Sequence, residues 1–338
     1  MTAIRAYAAP SAGAPLEPFE YEPGPLGADQ VEIRVESSGL CHSDVSMIND
    51  EWGLAQFPLV AGHEVVGTVV ETGASVTDVR VGQRVGLGWF SHACHHCDPC
   101  LSGDHNLCRS RGHTVVGRHG GFADRVRAQS TWVFPLPDGI DATSAGPLFC
   151  GGITVFNPLI QSGVKPTDRV GVVGIGGLGH LALQFLRAWG CEVTAFTSTG
   201  AKADEARRLG AHHVVDSRDP EALDAIAGTL DFLLVTVNVS LDWNRYLDTL
   251  APRGTFHIVG AIPEPLDMEA FKVFFEQRRV TGSPVGSPHT TKLMLDFCAR
   301  HGIKPQTEVF PMSRLNDAIA HLEAGKARYR VVLEADFA

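Results

Sequence analysis

The stretch Arg169-Val-Gly-Val-Val-Gly-Ile-Gly-Gly-Leu-Gly-His-Leu-Ala-Leu-Gln-Phe-Leu-Arg-Ala-Trp-Gly190 decides how this chain is read. Val170 to Val173 is a short apolar run of the kind that forms a buried strand. Leu178, Leu181, Ala182, Phe185 and Leu186 recur with helical periodicity. Between them, Gly174, Gly176 and Gly179 fit G-x-G-x-x-G. The first glycine permits a tight turn, the second lets backbone approach a pyrophosphate, and the third lets helix and strand pack closely. The helix start then offers free N–H groups to phosphate oxygens. A glycine pattern alone could be an ordinary turn, but between a strand and a helix it predicts dinucleotide binding.

Downstream of this loop the chain alternates. Strands are expected at Glu192–Thr197, His213–Asp216, Phe232–Val237, Thr255–Val259 and Val280–Val285. Helices are expected at Lys202–Leu209, Leu223–Ala227 and Trp243–Leu250. Such alternation implies a doubly wound parallel sheet. Helices are further expected over 289–301 and 314–324, with a closing strand at Tyr329–Glu334. Upstream, the first 90 residues read as β-rich and glycine-rich. Gln30-Val-Glu-Ile-Arg-Val-Glu36 alternates like a half-buried strand, and strand-like pieces follow at Gly67–Thr72 and within Val76–Leu87. The alternating part is therefore expected as an insertion between two parts of a first domain.

The 338 residues suffice for two cores. A net charge of −10 opposes nucleic-acid binding, which needs a basic face. Arg109, Arg111, Arg118, Arg125 and Arg127 make a locally basic stretch that reads as solvated surface. No run reaches the length of a membrane span, and the first ten residues lack a signal-peptide core, so a cytoplasmic protein without membrane partners is expected.

Cysteine usage points to metal. Cys94-His-His-Cys97-Asp-Pro-Cys100 followed by Cys108 gives C-x2-C-x2-C-x7-C. Four thiolates on one loop can close tetrahedrally around one zinc ion and leave no position for substrate, which makes a structural site. A redox or iron–sulfur cluster uses similar residues; the rest of the chain favours zinc. His95, His96 and His105 lie close by as bystanders. Cys41, His63 and Cys150 are too far apart for spacing to connect them, but each has a suggestive setting: Cys41-His42-Ser43-Asp44, Gly62-His63-Glu64, and Cys150-Gly-Gly. Three ligands and an open fourth position would make a catalytic zinc.

Taken together, Cys41-His-Ser-Asp44, Gly62-His-Glu-x-x-Gly67, the four-cysteine lobe, Cys150-Gly-Gly-Ile-Thr154 and Gly174-Ile-Gly-Gly-Leu-Gly-His180 resemble the zinc-dependent medium-chain alcohol dehydrogenases. Within that family the chain is similar to the cinnamyl alcohol dehydrogenase branch and its bacterial NADPH-dependent aldehyde reductases. Asn49-Asp-Glu-Trp-Gly53, Val237-Asn-Val-Ser-Leu-Asp-Trp243 and Gly325-Lys-Ala-Arg-Tyr-Arg-Val-Val-Leu333 add to the likeness. The resemblance covers essentially the whole chain. It implies an α/β protein: a GroES-like β-rich catalytic domain (1–152 and 288–338, with a structural zinc lobe at about 90–112) and a Rossmann-type NADP-binding domain (153–287).

The resemblance also implies residue roles. Cys41, His63 and Cys150 match ligands of the catalytic zinc, and Cys94, Cys97, Cys100 and Cys108 those of the structural one, two Zn2+ per chain. Glu64 matches an alternative ligand or nearby charge. Asp44 matches the acid that orients the zinc histidine, and Ser43 the hydroxyl that relays a proton. Many relatives continue that relay to a histidine, but Ser46 stands there in this chain. Cofactor contacts are implied at His42, Thr154, Gly174, Gly176, Gly177 and Leu178.

The second strand of the alternating region ends Ala195-Phe-Thr-Ser-Thr-Gly-Ala-Lys202, without the acidic residue that an NAD site places on the ribose. Ser198, Thr199 and Lys202 suit a 2′-phosphate, so NADP(H) is expected. Trp52, Leu54 and Trp89 match substrate-pocket positions and are apolar. The expected activity is reversible reduction of aldehydes to primary alcohols by hydride from NADPH. The alternative is an alcohol or polyol dehydrogenase working oxidatively; a zinc-stapled binding module or a zinc-free quinone reductase would not need Cys41, His63 and Cys150. A homodimer is expected, paired through the last strand of the cofactor sheet.

Overall fold

The computed structural model describes residues 3–198 and 200–337. The chain divides into two compact units, Met1–Cys150 with Gly286–Ala338, and Gly151–Val285.

In the first unit the main sheet has seven strands. Its path runs Thr307–Pro311, Arg330–Glu334, Gln30–Leu40, Glu64–Thr72, Arg84–Leu87 and Val133–Pro135, and Arg125–Gln129 pairs alongside Gln30–Leu40. Gln30–Leu40 is the spine, longer than the seven residues of expected alternation, because register irregularities at Glu32/Ile33 and Val35/Ser37 let it bend and continue. Past the second irregularity Ser38, Gly39 and Leu40 are all buried, and the chain runs directly into Cys41. Gly39 opposes Glu64 across this pairing, so the strand ends bring Cys41 beside His63. Within Val76–Leu87 only Arg84–Leu87 forms a strand; Val76 closes a turn on Gly73.

The basic stretch is more than solvated surface. Arg125 and Arg127 both bond the buried carboxylate of Glu32, at 2.9 and 2.7 Å, and Arg127 also donates to the carbonyls of Pro23 and Gly24. Arg118 donates to Ser91 Oγ at 3.0 Å. Arg125 and Arg127 thus neutralise an acid that the sheet has removed from water.

The second unit holds a six-stranded, wholly parallel sheet. Its order is His213–Asp216, Glu192–Thr197, Arg169–Val173, Leu230–Val235, Leu250–Ile258, Arg279–Gly282. The order reverses between Arg169–Val173 and Leu230–Val235, and a ligand crevice lies at such a switch point, beyond the carboxyl ends of the strands. The glycine loop leaves the first of those strands. Helix Gly179–Trp189 follows, ended by Gly190 in the left-handed region (φ 106°). Its inner face buries Leu181, Leu183, Phe185 and Leu186 completely. Phe185 meets Phe156 of helix Gly151–Gln161 edge to face at 5.3 Å. Below the far half of the sheet, Trp243, Tyr246, Leu247, Phe196 and Phe256 form a buried cluster.

Most elements of the alternating region fall where the pattern predicts, with shifts at their ends. The helix expected at Leu223–Ala227 is Pro220–Asp224 instead, because Asp219 caps it by accepting from Glu221 N and Pro220 occupies its first position. The last strand is Arg279–Gly282 and stops before Pro284. The strands Ile4–Ala8, Glu17–Tyr21 and Thr307–Pro311 and the helix Ala270–Phe274 were not separately legible in the pattern. Among the described residues no helix is long and apolar enough to cross a membrane.

The loop glycines separate into two physical kinds. Gly174 has φ 91°, and a Cβ on Gly179 would run into the carbonyl oxygen of Gly174. A Cβ on Gly176 meets nothing within 4 Å. Gly179→Ala should therefore lower stability by about 1–3 kcal/mol, the usual cost of overpacking, while Gly176→Ala stays close to the unsubstituted protein. Urea denaturation of the two variants side by side checks this; equal losses would refute it.

Candidate active site

Three separate segments meet in the first unit. Cys41 follows strand Gln30–Leu40 and precedes helix His42–Ile48. His63 and Glu64 stand at the head of strand Glu64–Thr72. Cys150 ends the turn Gly146–Phe149, which packs on that strand so closely that a Cβ at Gly146 would sit 2.6 Å from the Glu64 carbonyl oxygen. One ligand atom from each of Cys41, His63, Glu64 and Cys150 lies within 4.8 Å of the others.

Asp44 organises this cluster. It is fully buried, and its Oδ1 accepts from Gly62 N at 2.9 Å and bonds His63 Nδ1 at 2.8 Å. Its Oδ2 accepts from Cys41 N at 3.0 Å. With Nδ1–H donated to the carboxylate, His63 directs Nε2 at Cys150 Sγ, 3.2 Å away. Burial alone would push the His63 pKa down, but the charge and hydrogen bond of Asp44 overcome it and hold the pKa well above the usual value. The Cys41 thiol is held well below its usual range by the hydrogen bond from Cys150, against burial, with help from Arg330 and His63. Cys150 is correspondingly pushed up by its bond to Cys41 and by burial. The site thus favours a thiolate beside a protonated His63, and a cation entering it would displace the Nε2 proton to complete the sulfur and nitrogen donor set that suits zinc.

Glu64 is fully buried, and Arg330 pairs with its Oε1. Burial raises its pKa and the Arg330 charge opposes that rise. Its Oε2 is buried without a hydrogen-bond partner, and a Cβ at Gly39 would collide with that oxygen. A buried carboxylate oxygen left bare beside two thiols and an imidazole fits a cation at this point.

The second cluster is Cys94, Cys97, Cys100 and Cys108, whose sulfurs also lie within 4.8 Å of one another. Cys97 caps the one-turn helix Asp98–Leu101, and Cys108 follows the turn His105–Leu107. Short strands Phe90–His92 and Gly112–His113 pair at the neck. Leu101 and Leu107 are 73% and 44% exposed, so the lobe has little apolar core of its own. Backbone N–H groups, His96 first, pull the Cys94 thiol down to about 6, while burial pushes Cys100 up to about 12. Four converging sulfurs on a lobe that cannot hold itself together match a closed structural site. His96 bonds the Cys94 carbonyl and His105 that of Gly103; His95 and His105 face each other at 5.2 Å.

Trp89 extends the first cluster into an aromatic wall. Its ring meets His63 edge-on at 4.9 Å and Trp52 at 6.0 Å. Trp52 is 38% and Leu54 46% exposed. Ser43 Oγ lies 3.8 Å from Cys41 Sγ, Ser46 is half-buried, and His42 is exposed at the start of its helix.

In the second unit, no side chain caps the start of helix Gly179–Trp189. Gly174, Gly176, Gly177 and Leu178 form the turn that leads into it. Thr236 ties that turn to the neighbouring strand, donating to the carbonyls of Val173 and Gly174 at 2.9 and 2.8 Å. Thr154 is buried on helix Gly151–Gln161. Ser198 is exposed just past strand Glu192–Thr197, and Lys202 ends the following 3-10 turn, half-buried. Thr199 lies outside the described residues.

Residues 27–138 match the alcohol dehydrogenase GroES-like domain, and residues 177–300 match the zinc-binding dehydrogenase family. Aldehyde reductase AdhA of Synechocystis sp. is 59% identical over 330 residues, covering 98% of both chains. The chain belongs to the zinc-dependent medium-chain alcohol dehydrogenases. The cinnamyl alcohol dehydrogenase SbCAD4 of Sorghum bicolor superposes on this dehydrogenase with a TM-score of 0.95 at 36% identity, over 98% of each chain. A CAD from Helicobacter pylori complexed with NADP(H) gives 0.90 at 28% identity, again over 98% of each.

Two residues of this dehydrogenase escaped the sequence reading. Arg330 stood in a stretch noted for its likeness to relatives, but nothing near it marks a partner 266 positions away. Thr236 follows a strand and had no local signal beyond its hydroxyl. The Glu64–Arg330 pair yields a direct expectation. Arg330→Leu leaves Glu64 buried and unpaired and should cost about 3–5 kcal/mol, while Glu64→Leu with Arg330→Leu should recover most of that loss. Denaturant titration of both variants decides it, and a double variant no better than the single one would refute the account.

Proposed function

We propose that this protein is a zinc- and NADP(H)-dependent oxidoreductase that reduces hydrophobic aldehydes to primary alcohols, reversibly, in the cytoplasm. The observation that carries the reading is the convergence of Cys41, His63 and Cys150, with His63 held by the buried Asp44. Family membership and the names of the relatives, an aldehyde reductase and an NADP(H)-bound CAD among them, support it.

Cys41, His63 and Cys150 would hold the catalytic zinc, leaving a position for substrate, and Cys94, Cys97, Cys100 and Cys108 the structural zinc. When bound, the catalytic zinc supplies Lewis acidity at the carbonyl oxygen and NADPH supplies the hydride. Asp44 holds the Nδ1 proton of His63, so that Nε2 is the nitrogen that would give up its proton to the metal. Ser43 Oγ holds the proton destined for the alcohol oxygen; the next group outward is Ser46, whose hydroxyl can pass a proton but cannot store one as imidazole does. Glu64, tied to Arg330 on one oxygen and bare on the other, stands by as an exchangeable ligand. Trp52, Leu54 and Trp89 would offer the substrate an apolar surface.

The catalytic domain comprises 1–152 and 288–338, and the cofactor domain is 153–287. The glycine turn at Gly174, Gly176, Gly177 and Leu178 would take the pyrophosphate, with His42 and Thr154 as further contacts. Ser198, Thr199 and the Lys202 ammonium would take the 2′-phosphate. Gly176 supports this role, since among the described residues nothing lies within 4 Å of where its Cβ would stand.

The chain acts as a homodimer. Strand Arg279–Gly282 is an exposed sheet edge, and Phe271, Phe274 and Phe275 beside it are 65%, 55% and 69% exposed, their ring centroids within 5.6 Å of one another. An unpaired strand edge next to such a patch is a pairing surface. Sedimentation should give twice the 36.3 kDa chain mass; a monomer refutes this part. For the activity, zinc-replete protein should oxidise NADPH far faster than NADH with a panel of hydrophobic aldehydes, and Cys41→Ser should abolish turnover. Wild-type protein holding two zinc ions per chain yet turning over no aldehyde with either nucleotide would overturn the reading.

A further inference from the structure

His113 stands outside every role assigned so far, yet it touches the wall of the site. Its ring lies 5.7 Å from that of Trp89 at 60° and 5.3 Å from that of Phe90 at 39°. Phe90 is buried against Trp132, and His113 pairs with it across the two short strands at the neck of the cysteine lobe. The backbone of Trp89 is fixed: Thr114 N donates to the Trp89 carbonyl at 2.8 Å and Thr114 Oγ1 to that of Gly88 at 2.6 Å. These bonds leave the indole free to rotate, so its orientation depends on its neighbours.

Among the described residues, three rings meet the indole: His63, Trp52 and His113. His63 is bound to Asp44 and aimed at Cys150, so its position is already set. Trp52 sits on an exposed loop and makes a soft support. His113 is the remaining ring, carried on a paired strand. Half-burial and the charge of Arg111 lower its pKa, which keeps the imidazole neutral at neutral pH and able to pack against aromatic faces.

We propose that His113 is a positioning residue that holds the Trp89 indole edge-on to His63 and thereby sets the width of the aldehyde pocket. This rests on the aldehyde-reductase reading. Loss of the imidazole lets the indole turn, which changes how a bulky substrate fits while leaving the zinc ligands where they are.

The test compares His113→Ala and His113→Phe with wild type, using benzaldehyde and hexanal, zinc content and near-ultraviolet circular dichroism. His113→Ala should change the ratio of the two KM values by about three- to tenfold, as expected for one aromatic contact, with kcat altered by about twofold or less and two zinc ions retained. Its tryptophan dichroism should shift, and His113→Phe, which keeps a flat ring, should restore both readouts. An unchanged KM ratio with unchanged dichroism in His113→Ala overturns the proposal. So does a failure of His113→Phe to restore either readout, and that variant carries the test alone if His113→Ala does not fold. Absence of aldehyde turnover in wild type would instead remove the functional reading, while the dichroism comparison still decides whether His113 orients Trp89.

Discussion

One carboxylate carries much of the first unit. Asp44 accepts from the backbone of Cys41 and of Gly62 and from the ring of His63, so a single buried side chain joins the end of one strand to the start of another. Burying a charged acid costs several kcal/mol unless its oxygens are satisfied, and here three donors meet them. The same bonds fix which nitrogen of His63 keeps its proton. The position of the imidazole is thus settled in the protein itself, and the nitrogen that faces Cys150 is the one left to exchange its proton for a metal.

Within each unit the chain also uses polar devices where apolar burial is small or interrupted. The cysteine lobe exposes Leu101 and Leu107 and relies on four sulfurs. The Glu64–Arg330 pair is buried by the sheet and answers one charge with another. The glycine turn is held by the Thr236 hydroxyl as well as by the close approach of Gly179 to Gly174. In the buried pair one Glu64 oxygen has its partner in Arg330, while the other is left bare beside the thiols.

The legibility of these features in the sequence follows their range. The Rossmann-type unit was readable because its signals are local: apolar strand runs, helical periodicity and glycines at fixed offsets all fall within one strand–turn–helix. The cysteine lobe was readable for the same reason, its four sulfurs spanning fifteen residues. Cys41, His63 and Cys150 share no spacing rule, and only likeness to a family joined them. The early strands Ile4–Ala8 and Glu17–Tyr21 were obscured by prolines that read as turns, and Arg125 and Arg127 read as surface because their partner, Glu32, lies over ninety residues away.

What the sequence determined by itself is therefore what short-range chemistry dictates: the parallel alternating unit, the glycine turn between strand and helix, the four-cysteine loop, and the lack of an acid just past the second strand. Only the tertiary structure decided that Arg330 answers Glu64, that Asp44 serves three donors, that Trp89 leans on His63, and that His113 stands behind it. Those contacts depend on register between strands that are distant in the chain. Register is set by the packing of whole faces, including bends such as those in Gln30–Leu40, and no single residue announces it.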